Sequence, residues 1–269
     1  MAFTGSLVSD MTDTTTSLIH DWPQYLIAAM LVMVRLSGLM LFAPVFSSSA
    51  IAPRIKAGFV FAMTVMLAPV VAAVPNARVE LDTAAVLGEL GVGLTFGLSL
   101  MLVNEALVFA GTLLGMEFSF SLVNLIDPNS MIETPVLGQM LSWLGVLVVI
   151  GAGLDRTLLA AMMKSFLTAP VGHAVMQAKT GAALAAMASG IFLAGLQLAA
   201  PVIAAAMTVE MTVSLVGRLS PQLPAMVVGI PLKTLISYTV LIASLAVWPA
   251  WIERHFTALL DAAGRLVTP

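Results

Sequence analysis

From Thr180 to Val209 the chain runs without a single Asp, Glu, Lys or Arg. That stretch exceeds by half the ~20 apolar residues a helix needs to cross the ~30 Å hydrocarbon core of a bilayer, and it is not alone. Charges punctuate five further runs: Trp22–Phe46, interrupted by Arg35; Ala57–Pro75; Leu81–Gly115, carrying Glu89 and Glu105; Pro135–Leu154; and Thr234–Ile252, ending at Trp248 and Trp251, which suit an interfacial aromatic belt. The pattern predicts an all-α, polytopic membrane protein of about six long hydrophobic helices with short or re-entrant segments between them. Composition excludes the soluble alternatives. The chain is 60% hydrophobic and 9% charged, against roughly 45–50% and about 25% in soluble domains. It contains no cysteine, which excludes disulfides, iron–sulfur clusters and thiolate metal sites. A net charge of −3 gives no footprint for nucleic acid.

The first residues carry Asp10, Asp13 and Asp21 and no Lys or Arg before Arg35, so they do not read as a secretory signal. Residues 1–21, with the run Thr12–Thr16, are expected to form a solvated lead-in. Two later stretches resist the scheme of plain spans. Asp155–Val175 is broken by Lys164 and Pro170, and Met211–Leu232 contains Arg218 with Pro221, Pro224 and Pro231. Both read as short helices or turns, because proline removes helix hydrogen bonds that lipid cannot replace. Pro201 is expected to kink the long run that contains it.

Orientation fails the positive-inside test. An outside N-terminus puts Arg54, Lys56, Arg218 and Lys233 in inside connections, but Arg78, Arg156, Lys164, Lys179, Arg254 and Arg265 then fall outside. These helices are therefore either miscounted or not arranged as a serpentine in lipid.

Charges inside membrane helices cost ~2.5–3.5 kcal/mol on insertion scales and need a use. Glu89, Glu105 and Glu117 are compatible with an ion relay, with interhelical pairing, or with exposure to a wet lumen; their irregular spacing does not define a relay. Arg35 calls for one of these acids or for a partner chain. His20, His173 and His255 are scattered and form no metal-ligand pattern. Ser99 lacks the second glycine of a nucleophile elbow, and Gly91–Gly97 has the wrong spacing for a dinucleotide loop. No enzyme chemistry is implied, and no cofactor. Gly93 with Gly97, and Gly111 with Gly115, stand four apart, with Gly88 upstream. Such small residues let helix backbones approach closely, within the chain or against other subunits. The segment Gly111–Ser130 passes through Met116, Phe118 and Phe120 to the turn Asp127-Pro128-Asn129, and reads as a re-entrant loop, tolerated at depth only beside a cavity or inside protein.

A series of motifs in order along the chain resembles one known family. They are Arg35-Leu-Ser-Gly38 with Pro44, Pro53-Arg54-Ile55-Lys56-Ala57-Gly58-Phe59, Leu67-Ala68-Pro69, Gly115-Met-Glu-Phe-Ser119 with Asp127-Pro128, and Pro135-Val136-Leu137-Gly138. Ser165-Phe166 with Pro170-Val171-Gly172 follows, then Arg218-Leu-Ser-Pro221-Gln222 and Gly229-Ile230-Pro231-Leu232. The chain is similar to the FliR/SctT family of type III export-apparatus proteins, and to its flagellar rather than its virulence branch. It departs from the pattern at Lys164, at Leu154-Asp155-Arg156 and at Gly217.

The resemblance implies a non-enzymatic subunit of the export gate in the bacterial inner membrane, within the flagellar basal body. One copy would assemble with several copies of FliP and FliQ, joined by FlhB and with FlhA nearby, around a pore for unfolded substrates. It implies a FliP-like part over residues 22–179, including a plug loop over 111–130, then a FliQ-like hairpin and tail over 180–269. Gly115, Met116, Phe118 and Phe120 would form the plug. Arg35, Glu105 and Arg218 would make polar contacts within or between subunits, and Gly93, Gly97 and Gly111 would pack helices. A self-contained ion-coupled transporter using Glu89 and Glu105 is the competing expectation.

Overall fold

The computed structural model describes the backbone of residues 3–43, 46, 52–72, 81–118, 136–174, 178–220 and 225–267, and the side chains of the same residues except 3–21, 178–179 and 225–228. Among the described residues the secondary structure is helical throughout. In chain order the helices are α1 (Phe3–Phe42), α2 (Pro53–Ala72), α3 (Thr83–Glu117), α4 (Val136–Gly151), α5 (Leu154–Thr168), α6 (Ala178–Leu219), α7 (Ala225–Leu245) and α8 (Trp248–Val267). α1, from Trp22 onward, α2, α3 and α6 are each long and apolar enough to span a bilayer, and the count rises to six if α4 with α5, and α7 with α8, each make one broken span. The protein is a polytopic helical membrane protein.

Several boundaries differ from those predicted. α1 already begins at Phe3, so the expected lead-in is helical. Residues 111–117 are the last two turns of α3, not the start of a loop; nothing in that stretch breaks the helix, and Gly111 fits the packing described below. The long run containing Pro201 is one helix that continues through the proline. The last expected span does not end at Trp248 and Trp251. α7 stops at Leu245 and α8 starts at Trp248, bent by 53°. Lys233, assigned from sequence to a connection, lies within α7.

The chain divides into two compact units interleaved in sequence. The first comprises Met1–Leu98, Leu159–Gly181 and Ala262–Pro269. Its core is built by Leu31, Val32, Leu36 and Leu39 of α1, Val92 and Phe96 of α3, and Met162 and Phe166 of α5, all buried. α1 and α3 approach backbone to backbone: a Cβ placed on Gly93 would overlap the Arg35 carbonyl oxygen, and one on Gly97 would lie 2.8 Å from that of Leu39. α2 packs only one stripe inward, Val60, Thr64, Leu67, Ala68 and Val71, and exposes Phe61, Val65 and Met66.

The second unit comprises Ser99–Leu158 and Ala182–Asp261. Here Gly111 of α3 meets Gly138 of α4, whose backbone leaves no room for a Cβ at position 111. Ser142 of α4 donates to Asn104 Oδ1 of α3 at 2.6 Å. α6 and α7 run antiparallel, with Gly229 against Val213 and Lys233 beside Glu210. α8 buries Trp248, Ile252, Phe256 and Leu260, one residue per turn.

Candidate functional site

In the first unit three helices converge on one charge. The Arg35 side chain of α1 is fully buried, as is Glu89 of α3. Arg35 Nε donates to Glu89 Oε2 at 2.5 Å, Nη1 to Ser165 Oγ at 3.1 Å, and Nη2 to the Ala169 carbonyl at 3.0 Å. The guanidinium lies over the Phe166 ring, 4.2 Å from its centroid, a favourable placement of a cation on an aromatic face. Glu89 uses its other oxygen, Oε1, to accept the Gly172 N–H at 3.0 Å. Gly172 has φ +81°, a conformation that glycine adopts without strain, and this turn aims its N–H at the carboxylate. Ser165 Oγ in turn donates to the Met162 carbonyl at 2.6 Å. Removing two charges from water is expensive, and here every guanidinium nitrogen and both carboxylate oxygens have a hydrogen-bond partner that offsets part of the cost.

Two motifs that are far apart in sequence, one starting at Arg35 and one running from Ser165 to Gly172, are thus opposite sides of one contact. Each Glu89 oxygen is thus engaged in a hydrogen bond, Oε2 with Arg35 and Oε1 with Gly172, which is the interhelical pairing that the sequence allowed for this acid. Position 35 asked for a partner in the sequence; nothing there singled out Ser165 or the Gly172 amide.

In the second unit a lysine links three helices. Lys233 of α7 pairs with Glu117 Oε2 of α3 at 2.9 Å and also with Glu210 Oε1 of α6. Next to this cluster, Phe118 stacks on Tyr238 of α7 with ring centroids 4.3 Å apart. The end of α3 is therefore fastened to α7 by an ion pair and an aromatic stack. Lys233, Glu210 and Tyr238 were not among the predicted site residues. The available signal was a lone cation inside an apolar helix, which needs an acid.

The other expected positions are dispersed. Met116 is exposed, and a Cβ on Gly115 would meet nothing within 4 Å. Phe120 lies outside the described residues. Glu105 is half-buried and makes no ion pair among the described residues. Arg218 is exposed in the last turn of α6, where a cation complements the helix dipole. Between α6 and α7 a groove of about 390 Å³ is lined by Val209, Val213, Gly217 and Ile230, with Glu210, Ser214 and Lys233. Among the described residues no three His, Asp or Glu side chains are grouped to hold a metal ion.

The match to the bacterial export proteins, family 1, covers residues 26–259, and so takes in both the Arg35 cluster and the Lys233 cluster. The chain belongs to this family. Among curated proteins it is similar to the flagellar biosynthetic protein FliR of Escherichia coli (strain K12), 25% identical over 253 residues that cover 93% of this chain and 96% of that one. It is 27% identical to FliR of Bacillus subtilis (strain 168), over 93% of this chain and 97% of the relative. With FliR of Caulobacter vibrioides it shares 29% identity, over 87% and 94% respectively. The FliR relatives are matched along nearly their whole length, which bears out the resemblance carried by the dispersed motifs. They are named as biosynthetic proteins, not as enzymes.

Proposed function

We propose that this chain is a structural and gating subunit of the flagellar type III protein export gate in the bacterial inner membrane. The observation that carries the reading is the family match, which runs unbroken across the helices of both units. In this reading the chain assembles with FliP and FliQ, and with FlhB and FlhA close by, around a pore for unfolded flagellar substrates. Residues 22–179 supply the FliP-like part, and 180–269 the FliQ-like hairpin and tail. Energy for transport comes from elsewhere in the machine.

The gate segment begins in the last turn of α3. Gly115, Met116, Phe118 and Phe120 form an apolar constriction, which blocks water and ions by dewetting. Its root is held by Glu117 and Phe118 on α7. Deleting Gly115–Ser121 is expected to leave assembly intact and to raise passive ion conductance in the resting state. Conductance equal to that of the wild type removes the plug from the reading.

A further inference from the structure

The groove between α6 and α7 is apolar along its floor and charged at its edge. Lys233 carries one positive charge, and the two carboxylates on it, Glu117 and Glu210, carry two negative charges. The cluster is left with a surplus negative charge. Of the three side chains Glu210 is the most open, at 57% exposed, and it stands on the groove lined by Val209, Val213 and Ile230. Around it α6 presents Met211, Leu215 and Leu219, all exposed. Two turns further along α6, ~12 Å at 1.5 Å per residue, Arg218 is exposed with no acid paired to it among the described residues.

We infer that this groove receives an apolar helix of a neighbouring subunit that carries a lysine or arginine opposite Glu210 and an acidic residue about two turns away, opposite Arg218. Covering the groove expels water from a carboxylate whose charge its own lysine only half offsets. An uncompensated charge in such surroundings is costly, so the covering surface must bring a cation. A purely aliphatic helix would fill the same volume and leave Glu210 stranded. A partner with its acid opposite Glu210 would be repelled, so the charge pattern fixes register as well as affinity. This inference rests on the proposed assembly with sister subunits and specifies which face of the hairpin they meet.

The test uses the full chain co-expressed with FliP and FliQ. The chain has no cysteine, so Ser214→Cys places a single thiol on the groove. That thiol is expected to react with a maleimide in the chain alone and to be protected in the complex. Glu210→Lys is expected to lower complex yield about tenfold through like-charge repulsion at the covered face. Glu210→Gln, which leaves the Lys233–Glu117 pair in place, gives a smaller loss. An acidic substitution of the partner's basic residue restores the yield of Glu210→Lys. Equal labelling of the Ser214→Cys variant in chain and complex overturns the proposal. So does a wild-type yield with Glu210→Lys, or protection by a bound phospholipid that native mass measurement detects in the chain alone. Failure of the wild-type chain to assemble with FliP and FliQ would instead overturn the proposed function, which keeps the two results separate.

Discussion

Arg35 is held by Glu89 of α3, by Ser165 and the Phe166 ring of α5, and by the Ala169 carbonyl in the turn that follows; the Gly172 amide joins through Glu89. Breaking such a pair from one side leaves a buried charge without its partner, at a cost of about 3–5 kcal/mol. Arg35→Met is expected to lower stability by that amount, read from the unfolding of purified protein in detergent. The double variant Arg35→Met/Glu89→Gln is expected to lose less than the sum of the two single losses, with a coupling of up to ~3 kcal/mol. Additive losses would mean that the two side chains do not act as a unit. The sequence made the need for a counter-charge plain, since an arginine in a long apolar run has few ways to exist. It could not say which acid answers, because the choice among Glu89, Glu105 and Glu117 depends on helix rotation and on a turn at Gly172, far along the chain.

At the scale of whole helices, packing is set where backbones meet. Gly93→Leu drives a side chain into the Arg35 carbonyl, where there is no space even for a Cβ. It is expected to separate α1 from α3 at a cost at or above the upper end of the ~1–3 kcal/mol typical of overpacking. Gly190 of α6 has nothing within 4 Å of the corresponding point, and Gly190→Ala is expected to stabilise its helix by ~0.8–1 kcal/mol; thermal unfolding of the two variants should move in opposite directions. α8 is the element that departs most from a membrane span. Its buried stripe Trp248, Ile252, Phe256 and Leu260 opposes the exposed Glu253, Arg254 and Asp261, the amphipathic pattern of a helix with one face in water. In the cysteine-free chain, Glu253→Cys and Asp261→Cys should each react with a membrane-impermeant maleimide while Phe256→Cys should not; no labelling at any of the three would mean that the charged face of α8 is not in water. The spans themselves could be read from charge-free runs, because burial in hydrocarbon leaves so strong a compositional mark. Their ends could not, since they depend on single residues such as Gly153, with φ +69°, and on the short break before Trp248, neither of which alters the apolar pattern.

For the molecule as a whole, helix length conflicts with the thickness of a membrane. α6 has 42 residues and at 1.5 Å per residue reaches ~60 Å, twice the ~30 Å hydrocarbon core. α3, with 35 residues, exceeds it as well. Such helices must leave the hydrocarbon layer for part of their length, and there their apolar surface needs protein around it. Only 28% of the spanning window of α6, and the same share of α2, is buried within the chain. Lys233 and Arg35 have carboxylate partners inside the protein, so they do not report on a membrane face. Arg218→Glu, at the exposed end of α6, is expected to abolish co-purification with FliP or FliQ; unchanged yield would remove Arg218 from the contact. The Arg35 cluster also imposes an order on biosynthesis. Its counter-charge, Glu89, lies 54 residues further along the chain, so at ~5–20 residues per second the nascent chain carries an unanswered cation for about 3–11 seconds, and the contacts at 165–172 are made later still. Until α3 emerges from the ribosome, that arginine must be sheltered by the insertion machinery or by water at the bilayer surface.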